Sequence, residues 1–198
     1  MVEAKITLNL VVTPIEFQNP MENLFSRFVS ALYASLRPEA AEPKPATYHC
    51  CLLGSTVAMR KDPFVHQSYN AEGDEFFTGQ SVEGSVTYGF VTCRLQRPVS
   101  DQMLAEQRLF LFLESLHPHF GIECTTGLDH GIDYPGNPDA IGMTEYWQDH
   151  KGLDWKVGAW TDGALMAVLY VRNISIADFR RQDQFLQSFR FAPAQKLV

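Results

Sequence analysis

The chain has 198 residues, of which 45% are hydrophobic and 20% charged; that is ordinary globular composition, enough to bury a core without disulfide or metal staples, and it excludes disordered, collagenous and coiled-coil classes. Sixteen Lys and Arg stand against 23 Asp and Glu for a formal net charge of -7, which argues against nonspecific binding to nucleic acid or anionic lipid, since both need a basic surface to displace counterions. No apolar run approaches the roughly 18–20 residues of a membrane helix, and nothing around Cys50, Cys51, Cys93 and Cys124 marks a secreted chain, so the expectation is one cytoplasmic domain with reduced thiols, no membrane partner and no cofactor.

Ile6, Leu8, Leu10 and Val12 alternate with Lys5, Thr7, Asn9 and Val11, the pattern of a half-buried strand rather than a signal peptide. Asn19-Pro20-Met21-Glu22 then supplies a cap, a first-turn proline and an acid, all placed to satisfy the free amides of a helix start. Met21, Phe25, Phe28, Leu32 and Leu36 follow on one face of that helix, and Pro38 ends it. Residues 48–59, broken by Gly54, predict one bent strand or two short ones. The stretch 62–84 is rich in Gly, Asn, Asp and Glu and reads as a long surface excursion. Residues 85–95, SVTYGFVTCRL, read as a strand.

Pro98 and Ser100 open a second helix through Met103, Leu104, Phe110, Leu113 and Leu116, closed by His117-Pro118 and Gly121. Its LFLFL run is apolar on nearly every side, which calls for the sheet on one side and a second cover on the other. Residues 122–139 read as mostly loop, with one short strand at 122–126. Leu153, Trp155, Val157 and Ala159 alternate, Asp162-Gly163 turns, and 164–171 returns, which is a hairpin. Ser175 caps a last helix through Ile176, Phe179, Phe185, Leu186 and Phe189. The order predicts an α+β fold, an antiparallel β-sheet with three helices packed on its faces, an α/β sandwich. It lacks the regular βαβ alternation of a doubly wound nucleotide-binding fold.

The C-terminal third, a Trp-bearing strand, an Asp-Gly turn, an apolar strand and a helix running into Ser188-Phe189-Arg190-Phe191, resembles the end of PsbP-like α/β sandwich domains. That resemblance implies a scaffold whose members mostly act as binding, assembly or chaperone-like adaptors without catalytic machinery. It carries over no site residue, and the chain departs from the compact pattern in its length and its acidic stretch at 62–84.

Charge is unevenly spread. Residues 62–93 hold five acids and 109–150 hold seven, with no Lys or Arg in either stretch, whereas 151–198 holds seven Lys or Arg against four Asp. A phosphate-binding glycine loop, a GxSxG elbow and an HExxH helix are all absent. His117, His119, His130 and Asp133, with Glu123 and His150 near in sequence, form the one set with metal-ligating chemistry. The competing reading of the two helix-end histidines is that they cap the last carbonyls of the second helix. Cys124 with one of these histidines is the only conceivable nucleophile pair.

Tyr146 and Trp147, set between Glu145 and Asp149, fit an exposed anchor ringed by acids, while Trp155 reads as core. Together these features predict a nonenzymatic protein-binding module, of inhibitor, immunity or assembly-adaptor type. It would present Asp74, Glu75, Asp129, Asp133, Tyr146 and Trp147 to a partner with a basic surface. The alternative is a small-molecule-binding domain or hydrolase-like enzyme with a His/Asp site in 109–150, roofed by 62–84.

Overall fold

The computed structural model describes residues 47–50, 54–134 and 137–192. The strand predicted at 6–12 and the helix predicted from Asn19 lie outside the described residues. In chain order the elements are β1 (Thr47–Cys50), β2 (Ser55–Ala58), β3 (Phe64–Tyr69), β4 (Glu75–Glu83), β5 (Val86–Arg94), α1 (Gln102–Phe120), β6 (Ile122–Asp133), β7 (Ile141–Asp149), β8 (Asp154–Thr161), β9 (Leu165–Arg172), a 3₁₀ turn (Ile176–Asp178) and α2 (Phe179–Leu186).

β1 and β2 pair with each other, and the remaining strands form one seven-stranded sheet in the order β3-β4-β5-β9-β8-β7-β6, antiparallel throughout. Two meanders, β3–β5 and β6–β9, therefore meet where β5 pairs with β9. α1 is the crossover between them, from the middle of the sheet to its β6 edge. An α+β sheet with helices on its faces is thus present, with two α-helices among the described residues.

Three segments differ from the sequence reading. Residues 62–84 are the β3–β4 hairpin rather than a surface excursion. β4 is buried on alternate residues, but much of the apolar surface that covers it comes from its neighbour, and its own EFFTGQSVE is poor in β-branched residues. Residues 122–133 are one long strand rather than a loop with a short strand; the glycines Gly127 and Gly131, both at positive φ, sit at its irregularities and do not end it. Residues 141–149 are an interior strand, so Tyr146 and Trp147 are not on an exposed edge. Pro118, read as a terminator, lies inside the last turn of α1, and the cap at its other end is Asp101, not Ser100.

Both faces of the sheet are covered. On one face Val91, Cys93, Met143, Trp147, Trp155, Val157, Met166, Val168 and Tyr170 pack under Leu109, Phe112 and Leu113 of α1. On the other, Tyr88, Phe90, Trp160, Ala167, Leu169 and Val171 pack under Phe185 and Leu186 of α2, with Val57 of β2 and Phe189. Ion pairs of Arg181 with Glu83 and of Lys156 with Asp183 tie α2 to β4 and β8. A bridge between Thr56 and Arg190 ties β2 to the segment after α2.

Glycines face aromatic rings across the ladder at three registered positions: Gly79 opposite Phe90, Gly89 opposite Tyr170 and Gly142 opposite Trp160. In each case the ring lies where a Cβ would stand, at 2.4, 2.3 and 2.1 Å. The missing side chain lets a large ring lie flat on the neighbouring strand and supplies the apolar surface that the glycine lacks. Gly89→Ala should lift the Tyr170 ring, which packs on Trp155 and Phe120 at 5.2 and 5.0 Å. The expected cost is about 1–3 kcal/mol, read as a lower urea midpoint at unchanged slope; an unchanged midpoint would show that the ring is not held there.

Candidate functional site

α1 is fixed at both ends by its own sequence. Asp101 Oδ1 accepts from the Leu104 amide at 2.8 Å, and Gly121, at φ 65, takes the left-handed cap and donates to the carbonyls of His117 and Pro118. Leu109, Leu113 and His117 follow at helical spacing on the side facing the sheet, so the inward row ends in an imidazole. Glu114 stands three residues before His117 and thus beside it on the helix surface.

Beneath that imidazole, β7 places Glu145, Trp147 and Asp149 on one face of the sheet. The His117 ring meets Trp147 edge-on, with centroids 4.9 Å apart at 85°. His117 Nε2 lies 3.8 Å from Glu145 Oε2, and Nδ1 lies 3.8 Å from Glu114 Oε1. Both separations exceed hydrogen-bond length. Nε2 is buried and has no hydrogen-bond partner.

Glu145 is 5% exposed, and its Oε2 accepts from Trp147 Nε1 at 2.6 Å. Asp149, two positions further along the strand from Trp147, is in a different situation. It accepts from the Lys151 and Leu153 amides, from Trp155 Nε1 and from Arg172, whose guanidinium is 2.8 Å away. Burial pushes its pKa up, but those hydrogen bonds outweigh it and hold the carboxyl below the ordinary carboxylate range. One buried acid on this face therefore has a permanent cation and the other has only His117.

The predicted metal set is not brought together. Only His117 belongs to this cluster. His119 is exposed, with Nδ1 3.0 Å from the Ser115 carbonyl, which precedes the last free carbonyls of the helix. His130 is exposed on β6 and pairs with Glu106 of α1 at 3.3 Å, while Asp133 is exposed at the end of β6. Cys124 is exposed and its Sγ contacts the Thr125 carbonyl, not an imidazole. Cys93 is buried, which pushes its thiol up to about 12 and leaves it inert. Glu114 and Glu145 were missed because a partner on a distant strand leaves no spacing in the sequence; the Glu-x-x-His spacing at Glu114 and His117 was the one visible signal.

The predicted binding residues separate into internal and external ones. Glu75 is internal: it pairs with Arg94 and accepts from Gln67 and Tyr69. Asp74 is half-buried and holds the β3–β4 turn, accepting from the Gln96 amide at 2.8 Å. Trp147 is 1% exposed, which removes it as a surface anchor. Tyr146, on the opposite face of β7, is half-buried, and burial with the nearby charge of Asp183 pushes its hydroxyl up to about 12. Asp129 and Asp133 are exposed on the β6 edge. From β4 to β6 is five strand spacings, about 24 Å at ~4.8 Å each, so the acids of 62–93 and those of β6 belong to different ends of the sheet.

What does form a continuous surface is α1 with β6, joined by the Glu106–His130 contact. It exposes Glu114, Glu123 and Asp133, together with Met103, Leu104, Phe110, Leu111 and Leu128 at 36–73% relative exposure, while Asp129, paired with Thr144, stands on the other face of the β6 edge. No helix of the described residues is long and apolar enough to cross a membrane. In comparisons with known proteins, no family model and no curated sequence matches the chain.

Asp149 gives a test of the site's electrostatics. A carboxyl whose folded pKa is depressed contributes stability that is complete above its unfolded value, near pH 4, and is lost as pH falls through the folded value. Asp149→Asn keeps an oxygen for the two backbone amides but leaves Arg172 and the Trp155 indole short of an acceptor; it should cost about 3 kcal/mol at pH 7 and flatten the loss of stability below about pH 4. Chemical denaturation of both proteins between pH 2.5 and pH 7 checks this; parallel curves would mean that Asp149 is not the group responsible.

Proposed function

We propose that this chain is a nonenzymatic binding module that presents its α1–β6 face to another protein with a basic surface, as an inhibitor, immunity-type protein or assembly adaptor does. The observation that carries the reading is the composition of that face. Between residues 109 and 150 there is no Lys or Arg, exposed acids share the face with exposed apolar side chains, and such a mixture supports a recognition surface.

β6 supports recognition through side chains rather than by strand addition. Its pairing with β7 shifts register at three points, between Ile122 and Cys124, Thr126 and Asp129, and His130 and Ile132. Bulges and charges of this kind prevent an edge from accepting another strand. The acids then steer a cationic partner, and Phe110, Leu111 and Leu128 supply apolar area to bury. A PsbP-like scaffold, proposed from the order of the C-terminal elements, would point the same way, since its members mostly act as adaptors.

The reading is tested by affinity capture from native lysate at low and high salt, followed by kinetics with the captured protein. Wild type should retain a basic protein at low salt and release it at high salt. Glu123→Lys, Asp129→Lys and Asp133→Lys together, all at exposed positions, should slow association by roughly tenfold or more. Unchanged association of every captured protein with the triple variant would sink the proposal.

A further inference from the structure

We infer that Glu114, His117 and Glu145 hold a divalent metal ion of the zinc class beneath the C-terminal end of α1. One donor atom from each of the three residues lies within 4.8 Å of the other two. Two donors, each about 2.1 Å from a shared ion at tetrahedral angles, stand roughly 3.4 Å apart. The 3.8 Å gap between His117 Nε2 and Glu145 Oε2 is too long for a hydrogen bond and close to the separation of two donors that share one ion.

Three features favour a cation at this point. His117 Nε2 is buried without a partner, which is costly for a ring nitrogen unless something occupies it. Glu145 is a buried carboxylate that, among the described residues, meets an indole N–H and that same imidazole and lacks the fixed cation that Arg172 provides to Asp149. The site also lies at the carbonyl end of α1, where the helix dipole favours positive charge. Protonating His117 alone would supply a charge, yet it would leave the ring out of hydrogen-bond range of both flanking carboxylates.

The donor set decides the metal class. One imidazole and two carboxylates suit zinc and neighbouring transition ions, whereas magnesium and calcium take oxygen donors in larger number. Nε2 is the ligating nitrogen because it faces Glu145. Glu114, with its side chain 47% exposed, closes the outer side and leaves a position open to water. The Glu114–His117 step of three residues lets one helix offer two ligands to one ion, and β7 supplies the third, so the ion would pin the end of α1 to the sheet. This inference does not depend on the proposed partner.

The full chain, treated with chelator and dialysed, is titrated with zinc chloride by calorimetry and heated with and without zinc. The expected result is one saturable site per chain and a rise in Tm of roughly 5–10 °C at a hundredfold excess over Kd, with cobalt(II) giving the visible absorption of a low-coordinate site and magnesium giving no change. Glu114→Gln and Glu145→Gln should each weaken zinc at least tenfold, while His130→Ala should leave it unchanged. Glu145→Gln keeps an acceptor for Trp147; if it does not fold, Glu114→Gln, at the helix surface, decides alone. Absence of saturable binding in wild type, or zinc affinity unaltered in Glu114→Gln, overturns the inference.

Discussion

The structure depends on the pairing of β5 with β9 at the centre of the sheet. Both strands are buried on nearly every residue, so neither face of the sheet can be left to solvent, and each must be given a cover. α1 covers one face and α2, with β2 and Phe189, covers the other. Because β5 must be followed by a strand at the far edge, the chain crosses the first face diagonally as α1. The end of that helix then arrives over β7. The position of His117 above Glu145 follows from this route and not from any local motif.

The sequence was legible where an element carries its own apolar pattern. The β8–β9 hairpin, β5 and α1 are each dense in apolar residues over the length that is buried, and Gly121 and the Asp162-Gly163 turn carry their conformation in their residue types. It was illegible where burial is supplied by a neighbour. β4 has Gly79 where an apolar side chain would be expected, and the Phe90 ring opposite takes its place. β6 is an edge strand with exposed polar residues along most of its length, so its alternation is lost and its glycines read as loop. Glu75 and Trp147 illustrate the same limit for function: an acid and an indole in a polar stretch read as surface, and only the register of β4 with β5 and of β7 with β8 shows that they are internal.

This sorting changes what the net charge means. Several acids that looked like one reservoir of surface charge are structural: Glu75, Glu83, Asp149 and Asp183 each pair with a Lys or Arg. Such pairs do not steer a partner, because their fields are largely cancelled at short range. β6 and the outer side of α1 carry acids without a Lys or Arg pair among the described residues, and the adjoining cation of the helix, Arg108, turns to the Arg97 carbonyl at 3.5 Å. A charge count over the whole chain does not separate paired from unpaired acids, and it is the local field that matters for encounter with another macromolecule.

β7 shows most clearly the difference between a residue kept for stability and one that is not. Glu145, Trp147 and Asp149 occupy equivalent places on the same face, under the same helix. An apolar residue at either acid position would pack against that helix without a desolvation cost. Asp149 offsets its cost with two backbone amides, an indole N–H and a guanidinium, and in doing so closes the β7–β8 turn, so its presence is explained by the fold. Glu145 closes nothing: it takes one indole hydrogen bond and faces an imidazole out of hydrogen-bond range. A buried charge that the fold neither needs nor neutralises is the signature of a site whose second component is not part of the polypeptide, and the carboxylate, the orphaned nitrogen and the exposed Glu114 converge on the place where that component would sit.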